Sequence, residues 1–367
     1  MVINSVRFFR YDLPLRKPLL IGHEILQKRS GLLLCLVSDD GSRGWGDAAP
    51  LPGFSAERFS GILEEARRLV RTLCNKPVPD DLAPLGDGFG RWLQHTSLSC
   101  SMTAALETAV LDLQARVQGT SLRRKLNPEA ADSIAINGLL NPEKDLAGLW
   151  QAAEEMAREG IKTIKAKVGR HGVEHDVQMV RGLREVLGEG VGLRLDANRA
   201  WGWEEALAFG RAVADLGVEY LEEPLEDPSR LIHYRASCGV PIALDETAVE
   251  QGPTNLEWWR GADAIVLKPT LLGGLERTLW LARRGVNIGM RPVISSAFES
   301  GIGIRAWANL AASLTNPAPC GLDTYRALAK DVLPERIDMG GGSVDLKRLD
   351  ALAEAFDGAG LEEIARA

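Results

Sequence analysis

Four charged residues, each closing a short apolar run, recur along the second half of the 367-residue chain at nearly equal intervals: Asp196, Glu222, Asp245 and Lys268, separated by 26, 23 and 23 residues. Each interval is the length of one strand and its following helix. Apolar runs at 134–137, 163–168, 192–196, 218–222, 242–245, 264–268, 292–295 and 321–323 alternate with helical stretches, the pattern of a parallel α/β architecture. Their number favours a closed (β/α)8 barrel over an open sheet, and no glycine-rich dinucleotide turn follows any of them. Successive barrel strands then deliver one charged group apiece to the C-terminal rim, where such barrels carry their active sites. Three carboxylates meeting there repel unless a cation joins them, and monodentate oxygens with open positions suit Mg2+.

The second run adds Lys165 and Lys167. With a side-chain period of two, both leave the same face of the strand and both can enter the barrel. Lys268, on the sixth run, faces them from across an eight-stranded barrel. Neighbouring ammonium groups and a nearby dication both favour a neutral lysine. An unperturbed lysine is neutral in only about 0.04% of molecules at pH 7, whereas one brought down to about 7–8 is a usable base. Such a base beside a divalent ion fits removal of a carbon-bound proton alpha to a carboxylate, the ion stabilising the enediolate that forms. Arg194 precedes Asp196 by two and shares its inward face.

Before residue 125 the pattern changes. Residues 2–9, the run 32–37 and the turn Asp39-Asp40-Gly41-Ser42 leading into Arg43-Gly44-Trp45-Gly46-Asp47 read as strands with a hairpin. Residues 55–73 and 101–116 read as helices, with a loop at 76–81 between them. The net charge of −7 without any block of like charges removes the footprint of a nucleic-acid or anionic-membrane binder. Arg7, Arg10 and Asp12 break the N-terminus before an apolar signal core can form, and no uncharged window approaches the length of a spanning helix. Five scattered cysteines without a CxxC pair fit reduced thiols in the cytoplasm. Other strings fall short of a site. His171-Gly172-Val173-Glu174-His175 has the HxxEH spacing but a glycine inside it where a loop enters a helix, Asp196-Ala197-Asn198 fails as a calcium loop at Ala200 and Trp201, and Gly340-Gly341-Gly342 lacks a following Lys-Ser/Thr.

The array Lys165-Ala166-Lys167, Leu195-Asp196-Ala197-Asn198, Leu221-Glu222-Glu223-Pro224, Asp245-Glu246 and Leu267-Lys268-Pro269 resembles the enolase superfamily, in its muconate-lactonising-enzyme-like branch. The longer stretches 44–55, 193–201, 268–271, 294–296 and 321–324 are similar to the o-succinylbenzoate synthases of the proteobacterial type. The resemblance implies a (β/α)7β barrel, a modified (β/α)8 TIM-type fold, at 130–325, an α+β capping domain at 1–125, and a C-terminal segment 326–367 returning to the cap. It implies Mg-assisted syn dehydration of 2-succinyl-6-hydroxy-2,4-cyclohexadiene-1-carboxylate, a small dianionic substrate, to o-succinylbenzoate in menaquinone biosynthesis, by a monomer or small homo-oligomer. By the same resemblance Lys167 takes the alpha proton and, as its conjugate acid, helps hydroxide leave from the same face. Lys165 lowers its pKa and meets the substrate carboxylate, and Lys268 stabilises the enediolate. Asp196, Glu222 and Asp245 hold Mg2+, for which Mn2+ can substitute, with Asn198 and Glu246 behind them. Arg194, Ser295, Ser296 and the Gly321 backbone contact the ring and succinyl tail, while loops 50–55 and 21–24 cover the pocket.

Two departures bear on the substrate. Dipeptide epimerases of this branch carry Asp-x-Asp at the eighth strand, where this chain has Asp323-Thr324-Tyr325. After Ser295-Ser296 come Ala297-Phe298-Glu299-Ser300, so a third small hydroxyl expected of a synthase is missing. Two other readings stand beside the synthase: an N-succinylamino acid racemase or related epimerase using a lysine on each side of the alpha carbon, and a non-catalytic binding protein on the same barrel.

Overall fold

The computed structural model describes the chain except residues 22–23, 81, 83–87, 95, 141–144 and 252. An antiparallel sheet comes first, with β1 (Ile3–Ile21), β2 (Glu24–Ser38) and β3 (Arg43–Ala48). The expected β2–β3 hairpin is present, Cys35 facing Trp45. In its turn Asp40 accepts from the Ser42 amide at 2.9 Å and the Ser38 hydroxyl at 2.5 Å. The β1–β2 ribbon is longer than the apolar residues 2–9 indicate, continuing past Pro14 opposite Lys28 to Ile21 opposite Glu24. Most of its outer half is exposed, so it carries no apolar alternation. The tip residue Ile21 nevertheless packs with Leu51, Leu271 and Ala297, which sets the ribbon over the barrel rim. The helices Phe59–Leu73 and Cys100–Val117 complete the cap. The second lies so close to β3 that a Cβ at Gly46 would stand 1.9 Å from the Ala105 carbonyl oxygen, which is why glycine is needed there.

After a short strand, β4 (Ser133–Ala135), come the parallel strands β5 (Gly138–Leu140), β6 (Thr163–Lys167), β7 (Gly192–Asp196), β8 (Val218–Glu222), β9 (Ile242–Leu244), β10 (Ala264–Leu267) and β11 (Arg291–Ile294). They stand in sequential order and curl into a barrel with helices between them. Closure comes from Cys320 and Gly321, which bridge in parallel to Ile136 and Ser295. The eighth stave is thus a pair of bridges, and the chain then turns into the helical segment Asp323–Ala327, correcting the strand expected at 321–323. The run at 134–137 is also divided. Its first part pairs antiparallel with β12 (Ser343–Asp345), and only from Ile136 onward does the chain join the barrel.

The strand β13 (Glu362–Arg366) returns to pair with β1, and Val6 and Ala367 exchange backbone hydrogen bonds of 2.9 Å. Buried polar side chains lock cap to barrel. Asp47 accepts from the Tyr11 hydroxyl at 2.8 Å and from the Ser300 amide and hydroxyl at 2.9 and 2.7 Å, just before the helix Gly301–Ser313. Glu107 accepts from the Glu276 amide at 2.9 Å, in the first turn of the helix Leu275–Asn287. Burial pushes the Asp47 carboxyl up to about 7 and that of Glu107 up to about 8. Arg29 directs its donors to the carbonyls of Ala49 and Pro50 on one side and Ala297 and Phe298 on the other. Among the described residues no helix is long and apolar enough to cross a membrane, and all five cysteines are free.

Candidate active site

Strand register sets the charged residues side by side. Lys167 pairs with Asp196 and Asp196 with Glu222, while Glu222 faces Ala243, two residues before Asp245. Lys268 follows β10 directly and caps the helical turn Pro269–Leu272. The Lys165 Nζ donates to both Glu222 oxygens, at 2.8 and 2.7 Å, and lies 2.8 Å from Asp196. The Lys167 Nζ donates to Asp196 at 2.6 Å and to Asn198 Oδ1 at 2.5 Å, and Lys268 donates to Asp245. Asn198 in turn donates to Glu246 Oε1 at 3.0 Å. All six ionisable residues that the strand pattern singles out therefore meet at one rim, with Asn198 and Glu246 against them.

Burial alone pushes Lys165 down, but Asp196 and Glu222 outweigh it and hold the ammonium well above the ordinary lysine value. Lys268 is likewise raised, its burial offset by Asp245 and Glu246. Each of these lysines rests on a carboxylate. Burial raises Glu222 strongly, with the Asp196 charge adding to it, and Glu246 is raised to about 7 by burial and by Asp245.

The donor set fits a hard divalent cation. Asp196, Glu222 and Asp245 have side-chain exposures of 1, 0 and 2%. Glu246 Oε2 is buried without a hydrogen-bond partner, an excess of anionic oxygen that a cation would relieve. Among the described residues no three such side chains close around a single ion-sized point, because the carboxylates are turned onto the ammonium groups.

The residues expected to contact the substrate all have partners within the protein. Arg194 does lie inside the barrel, but near its opposite end. It is fully buried over the Tyr220 ring, donating to Glu219 at 2.8 Å, to Asn137 at 3.0 Å and to the Pro319 carbonyl at 2.7 Å. Sharing a face with Asp196 does not mean sharing its depth. The Gly321 backbone is engaged in closing the barrel, its amide donating to Ile294 and its carbonyl accepting from the Ser296 amide and from the Ser295 and Ser296 hydroxyls, each at 3.1 Å. Ser296 also bonds Thr324 at 2.5 Å. Just beyond the two serines Glu299 is buried, accepting from the Thr270 hydroxyl at 2.5 Å and the Ala297 amide at 2.6 Å. In the covering loop Phe54 places its ring 5.8 Å from the Lys268 Nζ. The loop 21–24 falls partly outside the described residues.

Sequence reasoning missed Glu223 and Arg199, which hold the strand ends together. Their only signals are the doubled acid before Pro224 and a basic residue three places after Asp196. In the HxxEH string His171 and His175 meet edge to face at 5.0 Å, and Glu174 is exposed.

A family profile described as Enolase C-terminal domain-like matches residues 149–360, and the chain belongs to the enolase superfamily. A second profile, MenC N-terminal domain, matches residues 3–86. Several of its sequence relatives are o-succinylbenzoate synthases. That of Edwardsiella ictaluri is 33% identical over 334 residues, covering 90% of this chain and 93% of its own. Protein PHYLLO of Arabidopsis thaliana is 31% identical over 90% of this chain, which spans 21% of that longer protein. Among solved structures, the L-Ala-D/L-Glu epimerase of Bacillus subtilis superposes with a TM-score of 0.82 at 26% identity, over 94% of this chain and 96% of its own.

Proposed function

We infer that the protein is a hydro-lyase that dehydrates 2-succinyl-6-hydroxy-2,4-cyclohexadiene-1-carboxylate to o-succinylbenzoate. The observation that carries this reading is the meeting of Lys165, Lys167 and Lys268 with three buried carboxylates at one barrel rim, in a chain whose relatives over most of its length are o-succinylbenzoate synthases. Asp196, Glu222 and Asp245 would hold a divalent ion, Mg2+ as in the superfamily or Mn2+ in its place, which supplies positive charge to the enediolate oxygens. Lys167 Nζ takes the alpha proton, and the C–H electrons pass into the carboxylate. Their return forms the ring double bond as the C–OH bond breaks, and the proton held on Lys167 leaves with hydroxide as water. Asn198 orients Lys167 through their hydrogen bond, and Lys268 stabilises the anion electrostatically. The covering loop that bears Phe54 excludes water from the reacting face.

The direct test is to incubate purified protein with the cyclohexadiene acid and Mg2+, with and without EDTA, and to follow appearance of the aromatic product. Absence of product with Mg2+ present overturns the reading. A racemase reading draws on the lysines at both sides of the pocket and on the likeness to the Bacillus subtilis epimerase. For a dipeptide substrate it meets an obstacle in Asp323, which is buried, accepts from the Leu139 amide at 2.9 Å and lies 2.7 Å from Arg326, leaving it poorly placed for an amine. Deuterium uptake by N-succinylamino acids in heavy water tests the acylamino acid form of that reading. A small, dianionic substrate, a cytoplasmic location, and a monomeric or small homo-oligomeric state complete the proposal.

A further inference from the structure

Glu223 is a fully buried carboxylate directly after Glu222, on left-handed backbone with φ 42°. Asn198 and Arg199, just beyond Asp196, are left-handed as well, with φ 44° and 60°. Residues with a Cβ seldom adopt this conformation unless the surroundings enforce it. Here the surroundings centre on the Glu223 side chain. Its Oε1 accepts from the amides of Asp245 and Thr247, each at 2.8 Å. Its Oε2 accepts from Arg199 Nε at 3.0 Å and from the Thr247 hydroxyl at 2.8 Å. The Arg199 amide donates to the Glu223 carbonyl at 2.7 Å, and its guanidinium bonds Glu250 at 2.7 and 2.9 Å. A single carboxylate thus ties together the ends of β7, β8 and β9, the strands that carry Asp196, Glu222 and Asp245.

We propose that Glu223 is a positioning residue for the cation site: by holding the Asp245 amide and anchoring Arg199, it sets the spacing at which the three carboxylates are presented. This rests on the divalent-ion reading above. Reach matters here more than charge. Glu223→Gln keeps the chain length and an acceptor oxygen for the two amides, but turns a donor toward Arg199 and loses that anchor. Glu223→Asp keeps the charge but is one methylene short of spanning the amides and Arg199 together. Arg199→Met leaves the amide contacts and removes the anchor.

The experiment titrates each purified protein with Mn2+, without substrate, reading free ion by electron paramagnetic resonance, and records the melting temperature of the metal-free protein alongside. Glu223→Gln is expected to bind a few-fold more weakly than wild type, and Glu223→Asp roughly ten- to a hundredfold more weakly. Arg199→Met, which loses the same anchor, should match Glu223→Gln, and it carries the test if Glu223→Asp does not fold. Lowered melting temperatures with unchanged Mn2+ affinity would show a merely structural role and overturn the proposal. Weakest binding by Glu223→Gln would also overturn it, since charge alone would then explain the effect. Failure of the wild type to bind Mn2+ removes the cation reading itself, and is recognised before any variant is compared.

Discussion

Lys167 is held between two acceptors, Asp196 and Asn198, which fix where its Nζ meets a substrate. Replacing it with alanine should lower kcat by at least about 10²–10⁴-fold, the usual weight of a positioned acid-base group, while circular dichroism remains that of the wild type. Turnover near the wild-type rate would remove it as the base. Arg194 should behave in the opposite way. Loss of a buried cation that answers Glu219 costs about 3–5 kcal/mol, so Arg194→Met is expected to lower stability in urea while the folded fraction keeps its KM. A large rise in KM without loss of stability would return Arg194 to the substrate. The contrast explains what was legible at this scale. Asp196, Glu222, Asp245 and the lysines could be read because strand ends recur at a fixed interval. The depth of Arg194, the closing role of Gly321 and the bonds of Glu223 depend on barrel closure and on backbone torsion, which leave no period in the sequence.

At the scale of elements, the central barrel strands fall where their apolar runs lie because both faces of each are buried and every residue of the run bears on packing. The β1–β2 ribbon and the eighth stave lack that property. The outer half of the first is mostly exposed, and the second consists of two bridges at Cys320 and Gly321. The fit of β3 against the helix Cys100–Val117 depends on glycine. Gly46→Ala should destabilise by about 1–3 kcal/mol, as overpacking does, by forcing Ala105 and its helix away from the sheet. Equilibrium denaturation measures this, and an unchanged midpoint would mean that the helix shifts freely.

For the molecule as a whole, the cap–barrel interface makes stability depend on pH. Glu107 binds its proton more tightly in the folded chain, at about 8, than at its ordinary value of 4.5. Its contribution is complete below the unfolded value and is lost as pH rises through about 8, so stability falls across that window. Asp47, at about 7, acts in the same direction. Glu107→Gln should flatten the decline of melting temperature with pH, and curves that remain parallel would exclude Glu107 as a contributor. A divalent ion acts on the same whole: at a hundredfold excess over its Kd, Mg2+ should stabilise the fold by about 2.7 kcal/mol, reversed by EDTA. No shift in melting temperature with saturating Mg2+ would count against the metal site. The pairing of β13 with β1 adds an order of events. During synthesis β1 must wait, one edge unsatisfied, until the barrel has been made and the chain reaches Glu362–Arg366. The cap sheet is thus finished after the barrel it sits on, and the last stretch of chain to be made is stitched to the first.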